Sequence, residues 1–144
     1  MPRLNDPFAT PIEDDYIETR AAAIAWTDDA GKDNSDDARN YLGLITGKKN
    51  AQRIVDNLDA SKLTSFKAKD ILRAAGLDPL PASDVRVQLA LQLIAAGTPL
   101  APVYLVRGKM GRGLPLTIAD GYHRTSAAWI IEPATDIPAF ITSA

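Results

Sequence analysis

Residues 103–131 read VYLVRGKMGRGLPLTIADGYHRTSAAWII, and how this stretch is divided settles the fold class. VYLVR, 103–107, is β-branched and alternating, as a strand requires, and so is LPLTIA, 114–119. Between them lies GKMGRG, 108–113, a basic loop with three glycines. Two strands joined by so short a loop pair most naturally as an antiparallel hairpin. Asp120-Gly121 then breaks the second strand, and YHRTSAAWII carries small and apolar residues in a helical run that ends before Pro133. DIPAFIT, 136–142, closes the chain as a short strand, and its Pro138 points to an edge position.

Upstream of the hairpin the texture is helical. Asp14 to Trp26 places acids in a first turn and apolar residues at near-helical spacing, which predicts a helix. TDDAGKDNSDD interrupts it, and Asn34 or Ser35 is a candidate cap for a second helix with Ala38, Tyr41, Leu42 and Ile45 in phase. Gly47 breaks that helix. NAQRIVDNL, 50–58, and TSFKAKDILRAAG, 64–76, predict two more helices, the second stopped by Gly76. After the extended LDPLPASD, Ser83 or Asp84 caps a helix with Val85, Leu89 and Ile94 on its core face and Gly97 at its end. The expectation is an α+β domain in which a helical region, 1–82, precedes a small mixed β-sheet with helices packed on it, 83–144, the two forming one compact unit. No internal repeat or low-complexity segment is visible.

Composition narrows the function. A chain of 144 residues with 46% apolar and 24% charged residues can bury the core of one domain. With no cysteine and one histidine, thiolate chemistry, disulfides, sulfur-ligated zinc and multi-histidine metal centres are excluded; no metal site is expected from protein ligands alone. The net charge of −2 argues against wholesale binding to DNA or to anionic membranes. No run approaches a membrane span and no signal-like start is present, so the expected location is cytoplasmic. Charge is uneven: residues 1–60 hold 7 Lys/Arg against 12 Asp/Glu, whereas residues 61–144 hold 9 against 6. An anionic ligand suits the second half, and the acidic helical half is a candidate surface for a protein partner.

The junction at Asp120-Gly121 concentrates the chemistry. Gly121 lets the backbone turn, and the first N–H groups of the following helix are left unpaired at the positive end of its dipole, which is an anion-binding arrangement. His123 and Arg124 add donors, the guanidinium in a fork that matches phosphate, and Thr125 and Ser126 add hydroxyls. Arg107, with Lys109 and Arg112 of the hairpin loop, brings further positive charge. Asp120 is either the N-cap of the helix or a carboxylate that holds a magnesium ion or accepts a proton. Tyr122 either stacks on a base or packs on the sheet, and Trp129 reads as core.

PLAPVYLVRG, LPLTIADGYHRTSAA and DIPAFI together resemble the ParB/sulfiredoxin superfamily, in particular ParB-like domains with a D-G-x-H-R turn. The resemblance covers about residues 83–142. It implies a nucleotide, ATP or CTP with Mg2+, or another phosphorylated small molecule, held at Gly121, His123, Arg124 and Thr125. Phosphoryl transfer is among the candidate activities, with Asp120 and His123 as candidate catalytic residues: His123 donates to phosphate and Asp120 handles magnesium or a proton. The departures matter as much. Tyr122 stands where sulfiredoxins carry their cysteine, which excludes sulfinic-acid repair, and no helix-turn-helix follows, which argues against specific DNA binding. The alternative is a non-catalytic interaction module that retains the fold.

Overall fold

The computed structural model describes residues 24–144. The predicted helix at 14–26 lies largely outside them; its last residues, Ile24 to Trp26, are not helical, and Trp26 instead forms a parallel bridge with Leu100. Helices α1 (Gly31–Thr46) and α2 (Lys48–Ala60) come first, then strand β1 (Thr64–Lys67) and helix α3 (Ala68–Ala75). They are followed by α4 (Val85–Ala95), β2 (Val103–Arg107), β3 (Thr117–Asp120), α5 (Tyr122–Ile131) and β4 (Asp136–Ser143). The fold is α+β, with a four-stranded mixed sheet in the order β1-β4-β2-β3. β2 and β3 form the expected antiparallel hairpin, β2 runs parallel to β4, and β1 pairs antiparallel with β4.

Both faces of the sheet are covered, so β2 does not follow the alternation read from the sequence: four consecutive residues, Val103 to Val106, are buried. Tyr104, Val106 and Ala119 face α1 and α2, packing with Ala38, Leu42, Ile54 and Leu58. Val103, Leu105, Ile118, Ile137 and Ala139 face the other way, against Ile71 and Leu72 of α3 and Ala128 of α5. A third cluster joins α4 to α5 through Val87, Ala90, Ile94, Ala127 and Ile131. Trp129 is partly buried against the second cluster, in keeping with its core reading.

Four sequence expectations are corrected. Thr64–Lys67 is a strand, not the first turn of α3: Phe66 pairs with Ile137, and α3 starts only where Ala68 and Lys69 donate to the carbonyls of Thr135 and Pro133. β4 is an inner strand. Pro138 is tolerated there because β1 flanks residues 136–139 and β2 only 139–143, so the proline sits where one side has no neighbour. α1 begins at Gly31 with no side-chain cap, which places Asn34 inside the helix and buried with Ala38 and Leu42, while Tyr41 and Ile45 are exposed. In α4 the core face is Val87, Ala90 and Ile94, and Val85 and Leu89 point to solvent. Asp84 is its cap, accepting from the amides of Arg86 and Val87. Gly76, with φ +67, ends α3 in the left-handed conformation the sequence calls for, and Leu77 N–H bonds back to Leu72.

Candidate functional site

The strand-to-helix junction forms where the sequence places it. β3 ends at Asp120, Gly121 takes φ +116, and α5 starts at Tyr122. Glycine is required twice over: an L side chain rarely adopts that φ, and a Cβ here would run into the Val103 side chain of the neighbouring strand. The helix has no side-chain cap, so Asp120 is not the N-cap. The backbone N–H groups of Tyr122, His123 and Arg124 meet no acceptor among the described residues; the first helical bond runs from Thr125 N to Gly121 O at 2.9 Å.

Arg124 turns inward. Its Nη2 donates to Asn34 Oδ1 at 3.2 Å, to the Pro102 carbonyl at 3.3 Å and to Asp120 Oδ2 at 3.3 Å. Asn34 is 5% exposed and donates through Nδ2 to the same carbonyl at 2.8 Å. The four groups knit α1, the entry to β2, the end of β3 and the first turn of α5 into one polar knot. Burial raises the Asp120 carboxyl above the usual carboxylate range, with the Arg124 guanidinium opposing the shift.

His123 is half-buried, and its Nε2 lies 3.9 Å from Asp84 Oδ1. Asp84 caps α4, so the amino ends of α4 and α5 lie side by side with a histidine and a carboxylate between them. Thr125 and Ser126 are fully buried. Ser126 Oγ accepts from the Leu80 amide at 2.9 Å, and the Tyr122 hydroxyl donates to the Asp78 carbonyl at 2.5 Å, which pins the 77–84 loop along α5. Thr125 Oγ1 and Arg124 Nε are buried with no partner among the described residues.

Arg107 lies apart from this group. It ends β2, whereas Gly121 packs on Val103 at the start of that strand; four residues of strand separate them by about 13 Å. The hairpin loop with Lys109 and Arg112 is at the same far end, because a hairpin's turn and the exit of its second strand lie at opposite ends by construction. The structure thus gathers Asp120, Gly121, His123, Arg124, Thr125 and Ser126, and leaves Arg107 out.

Sequence reasoning missed Asn34 and Asp84 as neighbours of the turn. Asn34 had a signal: it is in phase, four residues apart, with Ala38 and Leu42, so a polar side chain occupies the buried stripe of α1. A second polar cluster went unnoticed. The Tyr104 hydroxyl donates to Asp59 Oδ1, and Ser35 Oγ lies 2.9 Å from the same oxygen and 3.1 Å from the tyrosine, beside a hollow of about 210 Å3 that Lys32 and Phe140 also line. Burial and the Asp59 carboxylate push the Tyr104 hydroxyl up to about 12. No group of three or more histidine or acidic side chains suited to a metal ion occurs among the described residues. No helix there is long and apolar enough to cross a membrane.

The fold and the junction define an α+β protein with a mixed sheet covered on both faces and a glycine turn leading into an uncapped helix. Comparison with protein-family models, with curated proteins and with solved structures finds no match to this chain.

Proposed function

We propose that this protein binds a phosphorylated small molecule, with a nucleotide such as ATP or CTP as the leading class, at the first turn of α5. The observation that carries the reading is the set of three N–H groups at Tyr122, His123 and Arg124 that meet no acceptor among the described residues, at the positive end of a helix and next to His123. The amino end of α4 adjoins the turn, but the Asp84 carboxylate that caps it offsets its dipole, so the positive potential comes from α5 itself. The resemblance of the 116–129 segment to ParB-like turns supports the same ligand class. Binding is favoured over phosphoryl transfer. Asp120 is tied to Arg124, so service as a magnesium ligand or as a general base requires that pair to open first.

The test is thermal stabilisation of the full chain by ATP, CTP, GTP and ADP, each with and without magnesium. One bound ligand at about 100 times its Kd contributes roughly 2.7 kcal/mol, a shift easily read. His123→Ala is the diagnostic variant, because His123 makes only a 3.9 Å approach to Asp84 and its loss leaves the fold intact. It reduces the nucleotide shift while the unliganded Tm stays within a degree or two. Absence of a shift with every nucleotide at millimolar concentration overturns the reading.

The interaction-module reading keeps one observation of its own. Leu44 is 88% exposed and Ile45 and Tyr41 share the same end of α1, an apolar patch on the acidic half of the chain. Leu44→Glu abolishes self-association or capture of a partner if that patch is the working surface, and leaves nucleotide binding untouched.

A further inference from the structure

A cavity lies away from the α5 turn, between α3 and the β2–β3 hairpin. It has a volume of about 620 Å3, within the range of small-molecule sites. Its walls are Phe66, Ile71, Leu105, Leu116 and Ile141, with Arg107 beside them. Arg107 is exposed and has no carboxylate partner among the described residues; Asp70, which also borders the cavity, is 3.9 Å from Arg73 instead. Met110 of the hairpin loop is 97% exposed and Leu114 is 51% exposed, and both border the same opening.

We propose that this cavity is a second ligand site, distinct from the α5 turn, and that it takes a monoanionic amphipathic molecule: an aliphatic carboxylic acid with its tail against Ile71, Leu105, Leu116 and Ile141 and its carboxylate on Arg107. An apolar chamber with one guanidinium at its side that no carboxylate of the described residues pairs matches a ligand with one apolar body and one negative charge. Asp70 at the same border repels a dianion, so a phosphate monoester fits less well than a carboxylate. A bound tail also covers Met110 and Leu114, apolar side chains that solvent now surrounds. No residue of the α5 turn lines this cavity, so the two sites stand or fall separately.

The experiment is a methyl and amide NMR titration of the full chain with decanoate, decan-1-ol and decyltrimethylammonium, each below its critical micelle concentration. Decanoate gives saturable shifts at the Ile71, Leu105, Leu116 and Ile141 methyls, and decanol binds about tenfold more weakly, the loss expected for one charge-assisted hydrogen bond. Arg107→Gln weakens decanoate about tenfold and leaves decanol unchanged. Ala74→Trp fills the cavity and removes both; if that variant does not fold, the Arg107→Gln comparison decides by itself. Three results overturn the proposal: no saturable shift at those methyls, equal affinity for decanoate and decanol, or cross-peaks showing that residues 1–23 already fill the cavity in the ligand-free protein.

Discussion

Asn34 and Arg124 lie ninety positions apart in the chain and meet across the sheet, Arg124 Nη2 donating to Asn34 Oδ1 at 3.2 Å while both bond the Pro102 carbonyl. Arginine at the first turn of a helix is a candidate phosphate ligand by residue type. Here its visible bonds are to the protein, and they hold α1 against the turn. Asn34→Ala removes two side-chain bonds in a buried setting and strips partners from a carbonyl and a guanidinium. The expected cost is about 2–3 kcal/mol, read as a lowered urea midpoint with an unchanged m value. A loss below about 0.5 kcal/mol would show that the knot is not structural.

Much of this arrangement was legible in the chain, and the limits are physical. The hairpin, the Gly121 turn, the run of α5 and the stop at Gly76 are set by neighbours in sequence: β-branched runs, a glycine at positive φ, a proline after a helix. Thr64–Lys67 was lost to helix because four residues of TSFK say little by themselves, and their strand exists through pairing with Asp136–Ala139 some seventy positions on. Arg107 is near the turn in sequence but not in space, because the length of β2 separates them. His123 and Asp84 come together only because α4 packs on α5, a long-range contact that local spacing does not encode.

Asp120 predicts a pH dependence. Burial raises its folded pKa above the unfolded value, so the folded state binds the proton more tightly than the unfolded one. Its contribution is therefore fully present below the ordinary carboxylate pKa and is lost as pH rises through the folded value. Asp120→Asn, which cannot ionise, escapes that loss. The difference in stability between variant and parent shifts in favour of the variant as pH rises from about 3 to 7. Denaturant melts across that range test it; a difference that moves the other way would mean that the ion pair with Arg124 outweighs burial.

Tyr104 gives a second window at alkaline pH. It is 2% exposed and donates to Asp59, and its hydroxyl is pushed up to about 12 from 10.0. The stability tied to the protonated phenol is present below pH 10 and is lost as pH rises toward 12. Tyr104→Phe loses about 1–3 kcal/mol near neutrality, since it gives up a bond to a charged acceptor. It also flattens the alkaline part of the curve, which ultraviolet phenolate titration set beside melting data would reveal.

Ser126→Ala separates the two roles that a hydroxyl in this turn could have. Ser126 Oγ accepts the Leu80 amide at 2.9 Å; the serine is fully buried and the bond part-buried. The variant leaves a partly buried N–H without its partner, at a cost of about 1 kcal/mol. Hydrogen exchange at Leu80 accelerates in proportion, and the 77–84 loop loosens from α5. Asp84 belongs to that loop and faces His123, so the loosening reaches the amino end of α5 without altering any donor on it. If Ser126 were instead a direct ligand contact, nucleotide affinity would fall while Leu80 exchange stayed as it was. Measuring both on the same variant assigns the residue to the scaffold or to the site.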